Sequence, residues 1–181
     1  MRFAAIVLAL TIVMPLSAQE VAKVGSKVPD IRLPATQVET VLPGAKDNKT
    51  LSLADFAGKK NVVLFFYPKA LTKGCTIESC GFRDKLKDFQ KLDTVVIGIS
   101  LDTLELQSKF TEKESLNFPL LADTEGKLAK ALGAAKEGSK VAARYTFVID
   151  KTGTIRQVYT KVSVADHPNE VYNFVKDNLA K

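Results

Sequence analysis

The sequence predicts a layered α/β domain around a mixed central sheet flanked by helices, and three observations carry that reading. Apolar runs rich in β-branched and aromatic residues occupy 62–67, 94–100 and 143–149, the composition of strands buried on both faces. The longer stretches between them carry apolar residues at helical spacing. After the third run, Asp150-Lys151-Thr152-Gly153 reads as a hairpin turn into a partner strand at 154–159, and a last helix follows. Strands that alternate with helices and then close in a hairpin belong to such a sheet.

In chain order, residues 1–18 have the layout of a secretory signal peptide. Arg2 gives a positive start, 3–16 an apolar core, and Ala18 a small residue at the cleavage point. The apolar run falls short of the roughly 20 residues of a membrane span, and no cysteine follows it to carry a lipid anchor. The expectation is cleavage near Ala18, an exported mature chain that acts in the periplasm or outside the cell, and no lasting membrane association. Residues 19–181 read as one domain. Residues 28–33 and 51–53 suggest short strands, and Ser52 is placed to cap a short helix that Gly58 ends. Residues 101–115 read as an exposed amphipathic helix on Leu104, Leu106 and Phe110. A short strand at 118–121 precedes a helix capped by Asp123 and closed by Gly133. Asp166 and Pro168 start the terminal helix, with Val171, Phe174, Val175 and Leu179 on one face.

Over 181 residues, 46% apolar and 25% charged content supports one folded core. The net charge of +6 comes from scattered lysines, and no basic run is interleaved with aromatics, so nucleic-acid binding has no support. There is no GxGxxG or Walker pattern, and one histidine with two cysteines does not make a structural zinc site. Neither cofactor nor metal is expected.

The chain is organised around residues 62–83. Pro68 ends the first buried strand because it has no N–H for the ladder. A short polar loop leads to Gly74-Cys75-Thr76, and Glu78, Phe82, Leu86 and Phe89 then recur at helical spacing, so a helix starts at or just before Cys75. A thiol in the first turn of a helix sits where backbone N–H groups and the helix dipole favour a thiolate. The only other cysteine, Cys80, lies five residues on.

Two sets of residues then resemble a known family. One is Phe66-Tyr67-Pro68-Lys69, Thr72, Gly74-Cys75-Thr76, Glu78, Cys80 and Phe82-Arg83-Asp84. The other is Arg144, Thr146, Phe147-Val148-Ile149-Asp150 and Gly153. Together they resemble the peroxiredoxins of the bacterioferritin-comigratory, or Q-type, group, over most of residues 24–181. The resemblance implies a thioredoxin-like fold and a peroxidase that reduces hydrogen peroxide and organic hydroperoxides with electrons from thioredoxin or a similar dithiol protein. A monomer is expected. The family pattern is broken at Lys73, where proline is usual, and at Ala70-Leu71, which are more apolar than the usual pair.

The resemblance also implies site residues. Cys75 is the nucleophile, and Arg144, at the head of the third buried strand, favours its thiolate and donates to a peroxide oxygen. Thr72 turns its hydroxyl toward the thiolate or else caps the helix. Pro68 shields the sulfur or else only ends the strand. Glu78 holds an arginine in place or is a first-turn carboxylate suited to the dipole; Arg83 pairs with it or is solvated. Attack leaves a sulfenic acid on Cys75, which Cys80 resolves. Five helical residues separate two Cα atoms by about 8.6 Å, and a disulfide tolerates roughly 7 Å at most. The first turns of the helix must therefore unwind for the two to bond.

The rival reading is an exported thiol–disulfide oxidoreductase without peroxidase activity, but such proteins carry Cys-x2-Cys. A copper-delivery protein needs a histidine near the cysteines, and His167, between Asp166 and Pro168, is expected on the surface. A binding domain with a structural disulfide conflicts with two cysteines on one continuous helix.

Overall fold

The computed structural model describes residues 20–45 and 49–180. The expected signal peptide lies outside the described residues. The central sheet contains β3 (Asn61–Phe66), β4 (Thr94–Ser100), β5 (Leu120–Ala122), β6 (Thr146–Ile149) and β7 (Ile155–Tyr159), in the order β5-β4-β3-β6-β7. β3, β4 and β5 run parallel, whereas β6 lies antiparallel to both β3 and β7, so the sheet is mixed. A small antiparallel pair, β1 (Leu33–Pro34) and β2 (Thr50–Leu51), lies beside β5, tied to it by a bridge between Ala35 and Leu121. The helices are α1 (Lys73–Lys91), α2 (Leu104–Lys113), α3 (Lys127–Ala131) and α4 (His167–Asn178).

β3 is the middle strand and is buried along its whole length. Its period-2 alternation feeds two cores. Val62, Leu64 and Phe66 meet Leu128, Ala129 and Leu132 in and just after α3, together with Leu51, Leu53 and Phe56. Val63, Phe65 and Tyr67 meet Phe82, Leu86 and Phe89 of α1, Phe110 of α2, and Val171 and Val175 of α4. The Phe65 and Phe82 rings stack with centroids 4.6 Å apart, which fixes α1 over the strand that precedes it. Each such side chain contributes about 1.5–3 kcal/mol on full burial. Cys75 is thereby carried just past the C-terminal end of the central strand, the usual place for a site in an open α/β sheet.

Several elements are shorter than the sequence suggests, each for a local reason. In the segment at 28–33 only Leu33 joins a strand, because Pro29 cannot donate. Residues 25–28 instead run beside the β6–β7 hairpin, with Gly25 N–H on the Ile155 carbonyl at 2.8 Å and Val28 N–H on that of Gly153 at 3.0 Å. Leu53 leaves β2 for a short 3-10 helix, Leu53–Phe56, that Ser52 starts. The Ser52 hydroxyl accepts from Ala54 N–H at 3.2 Å, and Asp55 Oδ2 accepts from Ser52 N–H at 2.9 Å. The third buried run becomes a strand only at Thr146, with the Tyr145 carbonyl already accepting from Phe66 N–H at 2.7 Å, since Ala143 N–H is drawn to the Ala134 carbonyl at 2.6 Å. Arg144 therefore lies two residues before β6 rather than within it.

Candidate active site

Cys75 is in the first turn of α1, with 1% of its surface exposed. Arg144 reaches it from the segment that enters β6. Its Nη2 lies 3.2 Å from Cys75 Sγ, while its Nη1 donates to Glu78 Oε2 in an ion pair. Glu78 is one helical turn beyond Cys75, on the same face of α1. Its side chain is fully buried, and its second oxygen has no hydrogen-bond partner. Burial pushes its carboxyl up to about 7, against the opposing pull of the Arg144 guanidinium. One cation thus bridges the thiol and the carboxylate, a fork a lysine does not supply. A guanidinium at this distance is complementary to a thiolate and to the negative charge that develops on a cleaved peroxide oxygen.

The loop between β3 and α1 forms the other side of the site. Pro68 follows directly on Tyr67, whose N–H donates to the Ile99 carbonyl at 3.0 Å. Thr72 takes the N-cap position of α1 but makes no side-chain cap. Its hydroxyl donates to the Lys69 carbonyl at 2.9 Å, leaving its oxygen free to accept. Leu71 stands at φ +64°, a left-handed conformation that a leucine adopts only when its surroundings hold it there.

What holds it is a polar network that sequence reasoning missed. Asp102 Oδ2 accepts from Ala70 N–H at 2.7 Å and from the Ser100 hydroxyl at 2.8 Å. Gln107 Nε2 donates to Ser100 Oγ at 2.9 Å and to the Leu121 carbonyl at 2.8 Å, and Tyr67 donates its hydroxyl to Gln107 Oε1. Burial pushes the Tyr67 phenol well above its ordinary value, which keeps it a donor. Asp102 sits two residues past the C-terminal end of β4, next to that of β3, and placement just beyond a strand end was the signal that could have found it.

Two expectations are corrected. Arg83 does not meet Glu78. It donates from Nη1 to the Glu114 carbonyl at 2.6 Å and from Nε to Asp84 at 2.8 Å. Five residues turn a helix by about 140°, so Glu78 and Arg83 face opposite ways. His167 is not on the surface but fully buried. Its Nε2 is 2.8 Å from Thr146 Oγ1, and its ring packs edge-on against Phe82 and Tyr159 at 5.8 and 5.1 Å. The polar neighbours Asp166 and Asn169 hid this: the first turn of α4 docks onto α1, where Pro168 presses on Gly81 so closely that an added Cβ would lie 2.7 Å from its Cγ. Burial lowers the His167 pKa.

Cys80, on the flank of α1 away from Arg144, is half-buried and free. Its thiol points to Glu114 Oε2 at 3.9 Å, and burial pushes it above the ordinary thiol range. α1 is continuous through both cysteines.

A buried thiol at a helix start, backed by a bridging arginine and followed by a second thiol on the same helix, defines a thiol-dependent oxidoreductase. The chain belongs to the AhpC/TSA family, whose model matches residues 24–158. Peroxiredoxin Bcp of Bacillus subtilis (strain 168) is 41% identical over 165 residues, which span 88% of this chain and 98% of that protein. Peroxiredoxin Bcp of Escherichia coli (strain K12) is 37% identical over 139 residues, 74% of this chain and 88% of that one. Among solved structures, peroxidoxin BcpB of Mycobacterium tuberculosis superposes with a TM-score of 0.74 at 32% identity, covering 86% of this chain and 97% of that one. The bacterioferritin comigratory protein of Xanthomonas campestris, a protein with alkyl peroxide reduction activity, gives 0.75 at 27% identity, over 88% of this chain and all (100%) of that one. The fold is thioredoxin-like and the protein is a thiol peroxidase, with a peroxide as substrate and a thioredoxin-like dithiol as reductant.

Proposed function

We propose that Cys75 is the peroxidatic nucleophile and Cys80 its resolving partner. The observation that carries this is the 3.2 Å approach of Arg144 Nη2 to Cys75 Sγ, with the same guanidinium anchored on Glu78. The Cys75 thiolate attacks one peroxide oxygen; the S–O bond forms as the O–O bond breaks, and the leaving oxygen takes a proton to become water or an alcohol. Arg144 donates to the reacting oxygens, and the free acceptor face of Thr72 orients the peroxide O–H. Pro68 closes the pocket against water. Glu78 positions Arg144. Cys80 then attacks Cys75 Sγ: the S–S bond forms, the S–O bond breaks, and hydroxide leaves as water. A dithiol protein returns the two electrons. Hydrogen peroxide and alkyl hydroperoxides are the substrates.

The mature chain is exported and begins near Gln19, a reading supported by the charged start, apolar core and small-residue end of residues 1–18. It acts as a monomer in the periplasm or outside the cell and does not stay on the membrane. Support for the monomer is that both cysteines lie on one helix, so a lone chain can complete the cycle. The test is turnover with a dithiol-protein donor. Cys75→Ser is expected to abolish peroxide consumption and Cys80→Ser to stop it after one turnover. A Cys80→Ser variant cycling at the parent rate would remove Cys80 from the resolving role.

A further inference from the structure

We propose that Arg83 is a positioning residue for resolution: its bond to the Glu114 carbonyl is a latch that keeps Cys80 in helix α1 and limits how fast the disulfide forms. The proposal rests on Cys80 as the resolving residue. On an intact helix the two Cα atoms stand about 8.6 Å apart, beyond the roughly 7 Å a disulfide spans. The turn that carries Cys80 must therefore leave its place, and the contacts on that turn set the barrier.

Those contacts fall on two sides. On one, Phe82 is fully buried and Gly81 lies beneath Pro168, so release there opens the core. On the other, Cys80 and Arg83 face the end of α2. Glu114 is the C-cap of that helix, and its carbonyl is among the last ones, which lack an intrahelical acceptor role and sit at the negative end of the dipole. Arg83 Nη1 donates to it at 2.6 Å, a charge-assisted bond. The acceptor is held firm: Ser115 follows at φ +49°, and Leu116 is buried with its N–H on the Thr111 carbonyl at 2.9 Å. The Cys80 thiol lies against the same residue, 3.9 Å from Glu114 Oε2. Arg83 is thus the polar tie on the flank that Cys80 has to leave, and it can break without opening the core.

The charge of Arg83 has a second effect, opposite in direction. It favours the Cys80 thiolate, while Glu114 and Asp84 disfavour it. Losing the charge moves the resolution rate toward higher pH, whereas losing the latch raises its high-pH plateau, so a pH series separates the two.

The experiment is rapid acid quench of reduced enzyme after mixing with hydrogen peroxide, with mass spectrometry of thiol, sulfenic acid, Cys75–Cys80 disulfide and sulfinic acid. Arg83→Ala is expected to leave the rate of peroxide attack unchanged and to raise the plateau rate of disulfide formation about tenfold, the size of one hydrogen bond to a charged group. Less sulfinic acid should accumulate at a given peroxide concentration. Arg83→Lys, which keeps one cationic donor, should fall between variant and parent. An unchanged or lower plateau with normal peroxide attack overturns the latch, and so does a fall in both rates together, which would make Arg83 a support of the whole site. Absence of the Cys75–Cys80 disulfide in the parent enzyme would instead remove Cys80 as resolving residue, and the latch with it.

Discussion

Arg144 sets its Nη2 3.2 Å from Cys75 Sγ across a separation of 69 residues. The contact exists because β6 pairs antiparallel with β3, which returns the chain to the end of the strand from which the cysteine helix starts. Arg144→Ala should slow the reaction with hydrogen peroxide by about 10²-fold, the typical loss of one donor to a developing oxyanion. Arg144→Lys should not restore it, since one ammonium does not serve Glu78 and Cys75 together. Competition against a thiol peroxidase of known rate measures this, and a parent-like rate in Arg144→Ala would move the arginine out of the chemistry.

Glu78 and His167 give stability opposite pH dependences. Burial holds the Glu78 carboxyl at about 7, above its unfolded value, so its contribution is present below about pH 4.5 and lost as pH rises through 7. The size is on the order of 3 kcal/mol. His167 is lowered by burial, so its contribution is present above about pH 6.5 and lost as pH falls. Urea unfolding between about pH 5 and 8 should therefore show greater acid sensitivity in Glu78→Gln than in the parent, and less in His167→Gln. Parallel profiles for all three proteins would contradict both assignments.

Gly81→Ala tests how α4 is docked. Alanine favours a helix by up to about 1 kcal/mol over glycine, yet its Cβ would meet Pro168 Cγ at 2.7 Å. Overpacking of this kind costs about 1–3 kcal/mol. The variant should be less stable than the parent in denaturant by about 1 kcal/mol; a more stable variant would mean that Pro168 yields freely.

Much of this was legible in the sequence, and what was not shares a cause. Residues 62–67 and 94–100 announced buried strands by composition, and Cys75 announced a helix start by the spacing of Glu78, Phe82, Leu86 and Phe89. Contacts between polar residues far apart in the chain leave no such periodic trace. Gln107 reads as part of a solvated helix face, but it is fully buried and satisfied by Tyr67, Ser100 and the Leu121 carbonyl. His167 reads as a surface residue because its neighbours are polar, but besides Glu170 on its own helix its partners Thr146, Phe82 and Tyr159 come from other elements. Arg83 reads as a partner of Glu78 or a solvated cation; helix geometry forbids the pairing, and the Glu114 carbonyl, from another helix, holds the guanidinium instead.

The reduced and oxidised forms should differ locally. Amide hydrogen exchange across residues 75–82 should be slow in the reduced protein, where α1 is continuous, and faster in the disulfide form. Equal protection in both would rule out unwinding as the route to the disulfide.

The most direct test of the central claim is to add one equivalent of hydrogen peroxide to the reduced protein and map the product by peptide mass spectrometry. The expected products are a Cys75–Cys80 disulfide in the parent and a sulfenic acid on Cys75 in Cys80→Ser. Oxidation that appears first on Cys80, or on neither cysteine, would contradict it.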